Sequence, residues 1–246
     1  MSNNGMVDAG FTRDQIEELT VKVLRPAWRM RPDVRVIRAP LGMVVIKDYY
    51  RKANAFKRAM GQYLIKREYQ AYRRLDNIHG VPRCYKCLDN WTLVIEFVDA
   101  PPAAAVNPER LDEHFFGRLK HLVGQLHSRG LAHGDLHNLY NILIDEASHP
   151  VIVDYTSAIL TGSNPLAAVA LPHLYDDDIR GIYKLKTCRR RDMLTDEEKA
   201  FMHHRSLAEN VFRALRELVR TPAKKLASME QEPPDTRHTN GVSQVD

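Results

Sequence analysis

The sequence predicts an α+β fold of two lobes: a small, β-rich first lobe with one helix, then a mostly helical second lobe. Three observations predict it. Strand-like apolar runs crowd residues 34–98 around a single helical stretch. A connector, Pro101-Pro102-Ala103-Ala104-Ala105, then separates two kinds of pattern. Beyond it helical periodicity dominates, interrupted by one short hairpin in residues 142–154. The expected divisions are 1–98 for the first lobe, 99–220 for the second, and 221–246 for a disordered tail that is polar and has no apolar period.

Each element has its own signal. Residues 1–20 are polar, with a short helical pattern from Asp14 to Leu19. Val34-Arg35-Val36-Ile37-Arg38 alternates as a strand does, Pro40-Leu41-Gly42 makes a turn, and Met43–Ile46 reads as a more buried strand ending at Lys47. Residues 55–75 carry Phe56, Met60, Leu64, Tyr69, Tyr72 and Leu75 at roughly helical spacing. Two strands follow, near 83–88 and 91–98, joined by the turn Asp89-Asn90. Residues 109–129 form a helix with Leu111, Phe115, Leu119, Leu122 and Leu126 along it. Residues 142–145 and 151–154 are short apolar strands, and 176–187 and 195–220 read as helices, the latter opened by a Thr195/Glu198 capping box.

A chain of 246 residues, 44% of them hydrophobic, can bury a sizeable core. It has no apolar stretch of membrane-spanning length, and its first residues lack the pattern of a signal peptide. Three cysteines make no disulfide framework, so the expected setting is a reducing cytoplasm. Cys84 and Cys87 have C-x-x-C spacing, but no second pair accompanies them, and they read as two strand cysteines. The formal net charge is +5, unevenly spread: residues 22–74 hold fifteen Lys or Arg against Asp33, Asp48 and Glu68. That bias suits an anionic partner, such as a phosphorylated substrate or the anionic inner face of a membrane. A solvated basic face is the plainer reading. An RNA-binding module has only this charge behind it, and nucleic acid is disfavoured as a partner.

The chemistry concentrates in two segments, His133-Gly134-Asp135-Leu136-His137-Asn138-Leu139-Tyr140-Asn141 before one strand and Val151-Ile152-Val153-Asp154 at the end of the next. A tight connection folds the second strand back along the first, and the expected register sets Asn141 beside Asp154. An amide oxygen and a carboxylate around one point suit Mg²⁺, which prefers oxygen ligands shared with phosphates. Asp135, just upstream, could accept a proton from an attacking hydroxyl. Metal clamp, base and positioning are what phosphoryl transfer requires. His133 and His137 have the i, i+4 spacing of zinc ligands, but Gly134 disfavours a helix there and no Glu stands where a zinc protease needs its base.

These segments resemble the catalytic loop and metal-binding motif of protein-kinase-like enzymes. The resemblance extends upstream. Val44-Val45-Ile46-Lys47 is similar to the strand whose Lys holds ATP phosphates, and Glu68 to its ion-pair partner. Glu96-Phe97-Val98 stands where the hinge that binds adenine would be, and Asp178 resembles the helix residue that ties down the catalytic loop. It implies ATP and Mg²⁺, with Asp135 and Lys47 catalytic, Lys47, Glu68, Glu96, Val98 and His137 toward the nucleotide, and Asn141 and Asp154 on the metal. Within the superfamily the chain looks most like the bacterial lipopolysaccharide core (Kdo/heptose) kinase and RIO-like group, through Val45-Ile46-Lys47-Asp48-Tyr49 and Tyr183-Lys184-Leu185-Lys186.

Four departures stand out. No Gly-rich loop precedes Lys47, and the Arg25–Arg31 segment occupies its place. Asn141 follows Asp135 by six positions, so Asn138 is an alternative ligand. Asp154 is followed by Tyr155-Thr156 rather than Phe-Gly, and Gly134 replaces the usual Arg. Apart from these four, only 23 residues lie between Asp154 and Asp178, with no Ala-Pro-Glu among them to close a peptide platform. The expectation is therefore an ATP-dependent kinase acting on a hydroxyl of an anionic glycolipid such as lipopolysaccharide core, with possible peripheral membrane contact. The alternatives are a RIO-like protein serine/threonine kinase and a nucleotide-binding pseudokinase scaffold.

Overall fold

Strand-forming runs, alternating in β2 and continuously apolar in β3 and β5, build the first sheet, whose strands are β1 (Thr20–Arg25), β2 (Asp33–Ala39), β3 (Gly42–Asp48), β4 (Cys84–Asp89) and β5 (Thr92–Glu96). The computed structural model describes residues 10–28, 31–50, 55–162 and 165–203. The chain divides into two compact units, Met1–Arg205 and Ser206–Asp246, and the described residues all belong to the first. The expected tail and the end of the expected second lobe lie outside them. The sheet order is β1-β2-β3-β5-β4, antiparallel throughout.

Both faces of the central strands are covered, which is why Met43–Ile46 reads as a continuous apolar run rather than an alternating one. On the outer face Phe11 and Ile16, from the segment before β1, pack on Ile37, Ala39, Val44, Ile46 and Val94. Arg13 fastens that segment down through Asp48 (3.0 Å), Asp89 and Thr92. The inner face carries Val34, Val45 and Lys47 and looks toward helix α1 (Ala55–Arg74). Along α1, Ile65, Glu68 and Tyr72 are buried, and Leu75 just past its end continues the same helical stripe. A carboxylate on that apolar stripe requires a buried partner, because an isolated buried charge is far too costly.

The remainder is built on helix α2 (Glu113–Ser128), strands β6 (Leu131–Ala132), β7 (Ile142–Ile144), β8 (Pro150–Ile152) and β9 (Ile159–Leu160), and helices α3 (Pro165–Arg189) and α4 (Asp196–His203). Asp112 caps α2 by accepting a hydrogen bond from the Phe115 N–H at 2.7 Å. The Thr195/Glu198 capping box opens α4, with both reciprocal bonds present. One hydrophobic cluster runs from Tyr49, Ile65 and Leu93 through Leu119 and Leu126 to Ile152 and Leu185. Sheet, α1 and helical part therefore share one core.

The elements differ from expectation in five places. β1 occupies residues where no strand was expected, and the stretch from Asp14 to Leu19 forms a single 3₁₀ turn, Arg13–Gln15, with turns after it. The two-residue strands β6 and β9 pair with each other. α3 starts at Pro165, well before residue 176. Finally, the β7–β8 register pairs Ile142 with Ile152, so Asn141 falls opposite Val153, not Asp154. Strand pairing ends there because Leu139–Asn141 is a 3₁₀ turn and Asp154 adopts the left-handed region at φ 67°. Asp tolerates that region better than most residues do.

Candidate active site

The sheet, α1 and the chain after β8 converge on Lys47. Its Nζ donates to Glu68 Oε1 at 2.5 Å and to Asp154 Oδ1 at 2.7 Å, with Lys47 itself 5% exposed. Burial works against the Lys47 charge, but Asp154 and Glu68 outweigh it and hold the ammonium above its ordinary range. Burial lifts the Glu68 carboxyl, while Lys47 opposes that rise and Asp154 adds to it. For Asp154 the same burial is overcome by Lys47, Thr156 and Arg25, so it stays well below the usual carboxylate range. One cation between two carboxylates leaves negative charge to spare.

Thr156 completes the cluster. Its hydroxyl lies 2.9 Å from Glu68 Oε2 and 2.7 Å from Asp154 Oδ1. Arg67, also on α1, donates to the Thr156 carbonyl. The residues that follow Asp154 thus hold α1 in the position that pairs Glu68 with Lys47. Neither Thr156 nor Arg67 was picked out from the sequence; the only signal was the departure from Phe-Gly after Asp154.

The loop from His133 to Asn141 is fixed from three sides. Asp178, 1% exposed on α3, accepts from the His133 N–H at 2.7 Å and the Gly134 N–H at 2.9 Å, with His127 Nε2 3.1 Å away. The His133 ring spans two neighbours: its Nε2 donates to the Val153 carbonyl at 3.1 Å and its Nδ1 accepts from the Asp135 N–H at 3.3 Å. That arrangement defines a neutral imidazole with a structural task. Gly134 sits at φ 74°, where a Cβ would stand 3.0 Å from the Ser157 carbonyl. The position favours glycine and leaves no room for the usual Arg. On α3, a Cβ at Gly181 would come within 2.7 Å of Leu136, so the helix lies directly against the loop.

Asn141 Nδ2 donates to the Asp135 carbonyl at 3.1 Å and to its Oδ2 at 3.3 Å, while Asn141 Oδ1 accepts from Asn138 Nδ2 at 3.1 Å. Asn138 Oδ1 caps the turn through the Tyr140 N–H at 3.4 Å. Two expected nucleotide-side residues turn elsewhere. His137 Nε2 lies 3.2 Å from Asp177 Oδ1 on α3. The Glu96 carboxylate sits on the outer face of the sheet and accepts from the Arg83 N–H at 2.8 Å, because it pairs with Val44 in the β3–β5 register. The Glu96 side chain is thereby turned to Arg83. The Ala103 N–H then donates to the Ile142 carbonyl, which lashes the connector to β7.

Among the described residues no three His, Cys, Asp or Glu gather into an all-protein metal cage. Mg²⁺ needs none, since it takes one or two carboxylates and completes its shell with water and phosphate oxygens. Asp154 Oδ2 faces the Arg25 guanidinium at 4.0 Å and makes no hydrogen bond among the described residues. With Asn141 and Asp135 on the adjoining loop, the donor set fits a hard cation shared with phosphates.

A RIO-domain family model matches residues 44–185, more than half of the chain, from β3 through the catalytic loop to α3. The chain belongs to the RIO-domain family. It is an ATP-dependent kinase of protein-kinase-like fold. A Rio2 kinase from Chaetomium thermophilum, solved as an ADP/Mg²⁺-phosphoaspartate complex, superposes with TM-score 0.55 at 18% identity, over 89% of this chain and 75% of that one. A second Rio2 kinase structure from the same organism gives TM-score 0.45 at 16% identity, over 83% and 76%. No curated protein sequence matches the chain. These RIO matches bear on the RIO side of the expected likeness, not on the lipopolysaccharide core kinases.

Proposed function

We propose that this RIO domain transfers the γ-phosphate of ATP to a serine or threonine hydroxyl of a protein. The observation that carries the reading is that the RIO match spans the same residues, 44–185, that assemble Lys47, Glu68, Asp135, Asn141 and Asp154. Lys47 is poised for the phosphates, with Glu68 keeping its ammonium in place. Asp135 serves as the proton acceptor for the attacking hydroxyl, and Asp178 and His133 hold it there. Mg²⁺, when bound, would neutralise phosphate charge at Asp154 and Asn141. We assign that role to Asn141 rather than Asn138 because Asn141 is buried and bonded to Asp135, whereas Asn138 is exposed and caps a turn. Glu96 and Val98 would meet adenine through their main chain alone.

A glycolipid acceptor, with contact at an anionic membrane surface, is the second reading, and the basic segment 22–74 is what favours it. The fold weakens that support: Arg25, Arg35, Lys47, Arg67 and Arg74 all turn toward groups within the protein. The test offers labelled ATP and Mg²⁺ with a mixture of cell proteins in one arm and purified core glycolipid in the other. Label on protein serine or threonine is expected; label in the glycolipid alone would overturn the proposal. Asp135→Ala should bind ATP normally yet lose transfer by roughly 10²–10⁴-fold.

A further inference from the structure

We propose that Arg25 supplies, from a side chain, the phosphate grip that a Gly-rich loop supplies from its backbone. This rests on the kinase reading of the same site. The argument starts from register. Arg25 pairs with Val34, and Val34 with Lys47, so Arg25, Val34 and Lys47 form one cross-strand row on one face of the sheet. Strands lie about 4.8 Å apart, which brings the two long cationic side chains within reach of a common point. They meet at Asp154: Lys47 Nζ is 2.7 Å from Oδ1, and Arg25 Nη1 is 4.0 Å from Oδ2.

The Arg25 guanidinium is held in place but not used up. A separation of 4.0 Å from Asp154 is an ion pair without a hydrogen bond. Arg25 Nε is buried and has no hydrogen-bond partner among the described residues. A buried donor left unmatched is costly, and an incoming acceptor would remove that cost. The connection from β1 to β2, residues 26–32, cannot easily offer an alternative. It contains no glycine, Pro26 and Pro32 have no N–H, and the Arg31 N–H is already bonded to the Trp28 carbonyl at 2.7 Å. A backbone cradle for phosphate depends on free N–H groups and on glycine's access to unusual conformations. Here the sequence removes the glycines and three of the seven N–H groups from that supply, and places a planar, five-donor side chain at the end of β1, suited to bidentate phosphate recognition. Its position beside Asp154 directs it to the terminal phosphate rather than the nucleoside.

The experiment is calorimetric titration of the full chain with Mg·ATP, Mg·ADP and adenosine, for wild type, Arg25→Gln and Arg25→Lys. Arg25→Gln should weaken Mg·ATP by about 10-fold or more. It should weaken Mg·ADP less and leave adenosine unchanged within about 2-fold. Arg25→Lys should recover part of the ATP affinity, as a point charge without the fork. Thermal melts should stay close to wild type, since among the described residues Arg25 makes no hydrogen bond that the variants lose, and Arg25→Gln gives up only the long 4.0 Å ion pair with Asp154. Equal ATP affinity in wild type and Arg25→Gln would overturn the proposal while leaving the kinase reading standing. A parallel loss for adenosine would also overturn it, because the effect would then be on the fold of the cleft. Absence of any nucleotide or adenosine binding by wild type would bring down the kinase reading and this proposal together.

Discussion

Replacing Asp178 with Ala isolates the anchor of the catalytic loop from the cluster around Lys47. The carboxylate accepts two main-chain N–H bonds, from His133 at 2.7 Å and Gly134 at 2.9 Å, in a site where Asp178 is 1% and His133 0% exposed. Charge-assisted bonds of this kind are worth about 1.5–3 kcal/mol each, and the loss is felt in full where the orphaned donor cannot reach water. His133 meets that condition. Gly134 is only partly buried and can recover about half of its loss from solvent. The sum is about 2–4 kcal/mol, which for a domain of this size lowers Tm by roughly 5–15 °C. The chemical effect should be larger than the thermal one. Freed from Asp178, the loop no longer fixes Asp135, and a displacement of about 1 Å costs about 10²-fold in turnover. ATP affinity should stay within about 3-fold of wild type, because Lys47, Glu68 and Asp154 make no bond to Asp178. Differential scanning calorimetry, steady-state turnover at a permissive temperature and nucleotide titration read the three quantities separately. A variant with unchanged Tm and unchanged turnover would refute the anchoring role. One that lost ATP binding as severely as turnover would show that loop and cluster do not act independently.

Three other outcomes are expected. Thr156→Val removes the hydroxyl between Glu68 and Asp154. Melting should show about 1–3 kcal/mol of lost stability and ATP titration a weaker complex, and an unaltered Kd would argue against a positioning role. In metal-free buffer the depressed Asp154 carboxyl contributes stability that is present above its unfolded pKa of about 3.9 and is lost as pH falls below it. Glu68, shifted upward, works in the opposite sense. Asp154→Asn should therefore flatten the acid limb of a pH-dependent unfolding series, and an identical limb would contradict the assignment. Finally, burial pushes the Cys87 thiol up to about 11 and the Cys84 thiol higher still, while Cys188 is exposed. Thiol titration at pH 8 should find one fast cysteine and two that react at least about 100-fold more slowly, whereas three equal rates would contradict that environment.

The sequence by itself determined those features whose signals are local. The residue pattern was enough for β2, β3, β5 and α1, which bury apolar faces, and for β4 through the Asp89-Asn90 turn, and the Thr195/Glu198 capping box marks a helix start through short-range bonds. The order Lys47, Glu68, Asp135, Asn141, Asp154, Asp178 was readable as well, since each residue type stands at a strand end, on a buried stripe or in a turn where it would otherwise be out of place. Tertiary structure decided what depends on partners far along the chain. β1 escaped notice although Val21, Val23 and Leu24 are apolar; all three are exposed, and the strand exists through its pairing with β2. β6 and β9 have two residues each and exist only through their mutual pairing. The one-residue difference that sets Asn141 opposite Val153 follows from a 3₁₀ turn at one end and the left-handed Asp154 at the other, and neither imprints a period on the sequence. The turning of His137 toward Asp177, the bridging by Thr156 and the approach of Arg25 to Asp154 likewise depend on side chains separated by 40, 88 and 129 positions, or on strand register. Contacts of that kind become favourable only after the chain has been closed into loops and packed, so their energy belongs to the assembled fold rather than to any local stretch of residues.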